Sequence, residues 1–327
     1  MSLIICLLIS FWASLLAVFL IKQRWGQQLL DIPNQRSSHQ QPTPRGGGLG
    51  FILPFALTSA IANLTESFSF PLLSLWLILA PLALIGILDD RQGVPARIRY
   101  LVQLTCAGMA IYWFGHFELP FLSNWGILGR IIAILLSAIG FTAYVNFYNF
   151  MDGLDGLVAG MTAVQLGFLA VYLNQPLWWL LVAALLGFLR WNWSPAQIFM
   201  GDAGSTVLGA VVAIALLRDG GNGIRAWSAL AVTGPLVIDA IYTLCRRLLR
   251  GENIFQAHRT HLYQRLQVAG WSHAQVASTY IGINLLVALA IFLAGAIGAW
   301  LSVFGLILGL GLGECWFSRY SSAQSNA

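Results

Sequence analysis

The chain has 327 residues, of which 58% are hydrophobic and only 9% charged, with a formal net charge of +5 and a mean hydropathy of +0.76. A soluble globular chain carries about 25% charged residues, so this one lacks the polar groups to cover its own surface and lipid is its natural solvent. That excludes a cytosolic enzyme, a nucleic-acid-binding module and a disordered protein.

A spanning helix needs about 20 mainly apolar residues. In chain order the runs 3–21, 48–64, 71–88, 100–117, 127–145, 157–173, 176–191, 203–217, 226–245, 277–297 and 298–313 predict about eleven. The expectation is an all-α, polytopic integral membrane protein, one transmembrane domain over 1–327, without internal repeats. Its longest connections, 22–47 and 246–276, cannot bury a core of their own. Chemistry must therefore be assembled from loops and helix ends at one membrane face.

The positive-inside rule says which face. With the N-terminus outside, fourteen basic residues fall on the cytoplasmic side and only Arg130, Arg218 and Arg225 outside. The first run lacks a basic flank before it and is followed by Lys22 and Arg24, which reads as a retained helix. Most carboxylates and histidines also fall inside, and an active face explains that bias. Lys22 is the only lysine, which excludes Schiff-base and P-loop chemistry. The four cysteines are scattered and point to neither disulfides nor zinc.

Five constellations carry chemistry. Arg36-Ser37-Ser38-His39 through Pro42 to Arg45-Gly46-Gly47-Gly48 combines stiffness, close backbone approach and positive charge. Asp89-Asp90 ends an apolar run, where two like charges need a cation or a proton. Asn146, Asn149, Asp152 and Asp155 recur every third residue, a spacing that lines one face of a helix. Gly201-Asp202-Ala203-Gly204-Ser205 opens a short helix whose amides suit an anion and whose carboxylate suits a cation. His258-Arg259-Thr260-His261 sits in the longest basic loop, fit for phosphate oxygens. Each alone also reads as capping or a solvated loop. Together on one face they are the parts of Mg²⁺-dependent phosphoryl transfer.

In this order, across residues 36–261, the five motifs resemble the polyprenyl-phosphate N-acetylhexosamine 1-phosphate transferase family, glycosyltransferase family 4. The resemblance implies that an N-acetylhexosamine 1-phosphate passes from a UDP-sugar to undecaprenyl phosphate, giving undecaprenyl-diphospho-sugar and UMP. It implies a bacterial plasma membrane, an active site facing the cytoplasm, and Mg²⁺ or Mn²⁺ as cofactor. The lipid bilayer is then the environment, a homodimer is allowed and no nucleic acid takes part. Carried over, Asp202 is the main metal ligand with Asp90 supporting it, and Asp89 activates the lipid phosphate. Asn149 and Asp152 face the sugar nucleotide and Asp155 the uracil, with Asn146 on the same stripe. His258, His261 and Arg259 hold phosphates or sugar, and Arg36 and Arg45 contact the nucleotide. The loop 251–264 resembles the branch that initiates O-antigen and lipopolysaccharide synthesis with deoxy-sugar donors. UDP-N-acetylglucosamine or a peptidoglycan precursor is the alternative donor within the family.

Two rivals lie outside it. Asp152-x-x-Asp155-Gly156 begins a CDP-alcohol phosphotransferase motif, but Gly160 stands where that motif needs arginine. A transporter would place its ionisable residues near the bilayer midplane, and only Asp239 lies within a predicted span. The sequence leaves its role open between helix packing and support of the site.

Overall fold

The computed structural model describes residues 3–26, 29–33, 39, 41–65, 70–218, 223–253, 256 and 258–325. Helices dominate: α1 Leu3–Trp25, α2 Leu49–Leu64, α3 Leu72–Gln92, α4 Ala96–Phe114, α5 Gly126–Met151, α6 Leu157–Tyr172, α7 Trp178–Asn192, α8 Asp202–Leu217, α9 Gly223–Leu230, α10 Gly234–Leu249, α11 Leu262–Val268 and α12 His273–Ser325. The one sheet among the described residues is a two-residue antiparallel pair, β1 Leu30–Asp31 with β2 Thr43–Pro44. Each apolar run read from the sequence falls on helix. The run 226–245 is shared by α9, a 3₁₀ turn at Ala231–Thr233 and α10. The last two runs both lie on α12, which breaks at Gly295 (φ 55°, ψ −127°).

Five of these stretches are long and apolar enough to cross a membrane: Leu3–Trp25, Leu72–Gln92, Gly126–Met151, Gly223–Leu249 and His273–Phe317. Their outer faces are as apolar as the core. Leu73, Leu77, Leu84 and Leu88 stay exposed along α3, and Ile127, Ile131, Leu135 and Ile139 along α5. Such stripes are stable only against hydrocarbon, so the chain is an integral membrane protein.

At the centre stands α8, with every residue from Ala203 to Leu217 buried. It packs on α3 and α5, while α1, α2 and α7 form one flank and α6 and α12 the other. Lipid offers no hydrophobic drive between helices, so small residues must admit close backbone approach. Gly209 of α8 provides this, since a Cβ there would stand 2.6 Å from the Tyr144 carbonyl oxygen of α5. The end of α3, the end of α5 and the start of α8 thereby meet at one end of the bundle.

Candidate active site

Asp89 and Asp90 occupy the last turn of α3. One turn earlier Gly86 faces α8, where a Cβ would come within 2.5 Å of the Ala203 nitrogen. Only glycine lets these helix ends touch. Asp90 Oδ1 accepts the Asp202 N–H at 3.1 Å, and the carboxylate also accepts from Ala203. It thus caps α8 from another helix, where unpaired N–H groups and the helix dipole favour negative charge. Gly201 (φ 76°) leaves room for that carboxylate.

Asp89 accepts the Val94 N–H at 2.6 Å and pairs with the Arg99 guanidinium, which also reaches Asp202 Oδ2 at 3.7 Å. The Asp89 and Asp202 carboxyls are themselves hydrogen-bonded. Two carboxyls in contact need a proton or a cation between them. The resemblance implies Asp90 as the residue that supports Asp202 at the metal. In the structure Asp90 grips the Asp202 backbone, whereas Asp89 meets its side chain.

Arg45 is delivered by a zipper of main-chain bonds. Phe199 N–H donates to the Pro44 carbonyl (2.8 Å), Gly47 N–H to Phe199 (2.9 Å) and Gly48 N–H to Met200 (2.8 Å). The Arg45 guanidinium then lies 2.7 Å from Asp31 and 3.9 Å from Asp90. Arg36 lies outside the described residues.

The polar stripe Asn146–Asp155 divides. Helix α5 stops at Met151, so Asn146 and Asn149 remain on one helical face while Asp152 caps the helix and Asp155 lies in the loop beyond. A single helical stripe of four is therefore not formed, because the chain must turn here to enter α6. Asn149 donates to Ser205 Oγ (3.1 Å) and bonds Asp202, and Asn146 donates to Gln103 (2.7 Å). Burial, with the negative charges of Asp202 and Asp90, pushes the Asp152 carboxyl up to about 8, Arg45 offsetting part of it. Burial would also raise Asp155. His273 at 3.2 Å and the Ala196 N–H at 3.1 Å outweigh it and hold that carboxyl below its ordinary value.

His258 and His261 lie against each other, their rings tilted by 31° with centroids 4.9 Å apart. Burial, then His261, Arg247 and Arg246, lowers His258 to about 4, so its ring is neutral at physiological pH. Arg259 donates to Gln267.

These side chains line two cavities. One, of about 390 Å³, holds Asp89, Arg99, Asn146, Asn149, His258 and His261 against an apolar wall of Leu82, Ile85 and Leu244. The other, of about 290 Å³, is mostly polar and holds His39, Arg45, Asp90, Asp152, Asp155 and His273. Asp202 lines both. Arg99, Gln103 and His273 escape a sequence reading. Each is a lone polar residue that only packing brings to the site.

The donor set fits a hard divalent cation. Asp202 and Asp89 present touching carboxyl groups that Arg99 only partly neutralises. Among the described residues no three acidic, histidine or cysteine side chains form a ready-made metal cage. Mg²⁺ characteristically takes one or two carboxylates plus substrate phosphates.

The model of glycosyl transferase family 4 matches residues 72–220, the stretch from α3 to the end of α8 that builds the centre of this site. Over that stretch, a little under half of its length, the chain resembles this family of transferases. It is 29% identical to a probable undecaprenyl-phosphate N-acetylglucosaminyl 1-phosphate transferase of Bacillus subtilis, over 91% of this chain and 87% of that protein. It is likewise 29% identical to the undecaprenyl-phosphate alpha-N-acetylglucosaminyl 1-phosphate transferase of Yersinia pestis, over 83% and 77%. With a phospho-N-acetylmuramoyl-pentapeptide-transferase of Staphylococcus epidermidis it shares 27% over 92% and 98%.

Proposed function

We propose that this protein transfers an N-acetylhexosamine 1-phosphate from a UDP-sugar to undecaprenyl phosphate at the cytoplasmic face of a bacterial membrane. The observation that carries the reading is the pair of cavities meeting at Asp202. The polar cavity suits a sugar nucleotide. The cavity with the apolar wall suits a lipid phosphate, and Arg99 and His258 supply donors for its oxygens. An apolar groove of about 740 Å³ continues along the seam of α5 and α10, with Phe147 and Ile241 one turn beyond Phe150 and Leu244, a path for the prenyl chain.

The reaction is a direct displacement. A phosphate oxygen of the lipid attacks the β-phosphorus of the UDP-sugar, the bond from that phosphorus to the bridging oxygen breaks, and UMP leaves. A phosphate oxyanion is already a nucleophile, so no covalent enzyme intermediate is required. The chain's task is to hold two anions in line against their repulsion. Arg99 and Asp89 orient the acceptor phosphate, Arg45 and Asp152 lie on the donor side, and Asp90 fixes the start of α8. Asp202, with Asp89 beside it, would hold Mg²⁺, whose charge would stabilise the transferring phosphates.

The topology proposed with this function has about eleven spans and the N-terminus outside. It is supported by the helical state of all eleven apolar runs and by the basic residues of the site end. A transporter would carry ionisable groups at mid-membrane, whereas these carboxylates sit at helix termini. For the donor, the names of the relatives favour UDP-N-acetylglucosamine, and the loop 251–264 favours a deoxy sugar of O-antigen initiation. Purified protein with undecaprenyl phosphate, Mg²⁺ and a panel of UDP-sugars, followed by UMP release, tests the reading. No UMP with any UDP-sugar would refute it.

A further inference from the structure

Asp239 stands on α10, only 2% exposed, where it meets α11 and α12. A carboxyl so buried is costly unless its oxygens are engaged. Here both are engaged. Oδ1 accepts the Leu262 N–H at 2.9 Å and the Thr243 hydroxyl at 3.2 Å. Oδ2 accepts the Tyr263 N–H at 3.2 Å and the Tyr280 hydroxyl at 2.7 Å. Leu262 and Tyr263 are the first residues of α11, so the carboxyl caps that helix from α10. The residue just before it is His261, whose buried Nδ1 makes no hydrogen bond and lies 3.5 Å from the same Oδ1. The His261 ring is equally buried, stacks on Tyr263, and lines the cavity that holds Asp89 and Arg99. Tyr263 in turn donates to the Phe150 carbonyl at the end of α5, tying the assembly to the site.

We propose that Asp239 is the positioning residue of His261: its carboxylate fixes the first turn of α11 and faces Nδ1 as the acceptor for an Nδ1–H, so that the ring offers Nε2 to the cavity beside Asp89. A carboxylate only accepts, so the partnered nitrogen must carry the proton and the other keeps its lone pair. Such a pairing sets tautomer and ring orientation together, and losing it typically costs about 10–100-fold in function. The Tyr280 and Thr243 hydroxyls hold the carboxylate in turn.

The kinetic consequence rests on the proposed transferase reading; the tautomer does not. The full-length protein in lipid nanodiscs, labelled with ¹⁵N-histidine, has five histidines to resolve, and His261→Gln assigns the one in question. The wild type is expected to show His261 protonated at Nδ1. In Asp239→Asn the carboxamide oxygen still accepts the Tyr263 N–H, while its NH2 replaces the oxygen that faced Leu262 and presents N–H to the ring. The proton is then expected to move to Nε2, with kcat down on the order of 10–100-fold and KM for the UDP-sugar nearly unchanged. Tyr280→Phe should keep the tautomer and lose much less. An Nε2-protonated ring in the wild type overturns the proposal even if the Asn variant does not fold. So does an Asn variant with unaltered tautomer or kcat. The expected tautomer in a protein that transfers no sugar phosphate would support the positioning and sink the functional reading instead.

Discussion

Asp89, Asp90, Asp152 and Asp202 crowd one small volume with, among the described residues, only Arg45 and Arg99 between them as cations. Such crowding is stored repulsion, kept for function at the expense of stability. Asp202→Asn is therefore expected to abolish turnover, a loss of several kcal/mol of transition-state stabilisation. In EDTA it should melt no lower than the wild type. A differential scanning measurement beside the UMP assay checks both, and turnover in excess EDTA would remove the metal from the reaction. Asp89→Asn should lose turnover while UDP-sugar binding persists, since Asp89 lines the cavity proposed for the acceptor and not the one proposed for the nucleotide. His258 supplies a pH signature. Its ring titrates at about 4 in the folded chain against 6.5 ordinarily. Between those values the unfolded chain binds more protons, so folding stability falls as pH drops through that window. Melting curves of wild type and His258→Gln from pH 7 to pH 4 should converge at the acid end of the window, because the variant lacks this component.

At the scale of elements, the site depends on how closely α3 approaches α8. Gly86→Ala puts a Cβ against the Ala203 backbone, which cannot yield as a side chain tip would. Overpacking of this kind costs about 1–3 kcal/mol. Displacing Asp89 and Asp90 by about 1 Å from Asp202 costs up to about 100-fold in rate. A fall in kcat larger than the fall in thermal stability accounts for is the expected result, and an unaffected kcat would show that the spacing has slack. The boundary of α5 matters similarly. Asn146 and Asn149 lie on its last turns and face the cavity with the apolar wall, while Asp152 and Asp155, beyond its end, face the other cavity. A period of three in sequence implied one stripe. The helix stop at Met151 turned it into two half-sites.

For the whole molecule, the exposed apolar faces of α3, α5 and α12 and the gathering of charge at one end define how the protein lies in a membrane. With the four native cysteines replaced, a cysteine at Gln256 should react with impermeant thiol reagents only once the cytoplasmic side is opened. One at Glu118, at the opposite end of the bundle, should react in intact cells. The reverse pattern would invert the proposed orientation and with it the access of a cytoplasmic sugar nucleotide.

Membrane residence and the helical positions were legible in the sequence because hydropathy is a local, additive property that needs no knowledge of neighbours. The residues of the site were legible for a related reason. Asp89, Asp90, Asp202, His258 and His261 are polar groups in or beside apolar runs, where each has to be explained. Which carboxylate faces which was not legible. Asp89 and Asp90 are adjacent in the chain, yet helical geometry turns one toward the Asp202 side chain and the other toward its backbone. Arg99 and His273 look like ordinary loop and helix-end residues until α4 and α12 are packed in place. Asp239 reads as an isolated charge in a greasy helix, and only the fold of α10, α11 and α12 surrounds it with donors. Local composition decides the solvent a segment prefers. Pairing between side chains far apart in the chain is decided by helix rotation and by the few glycines that let backbones meet.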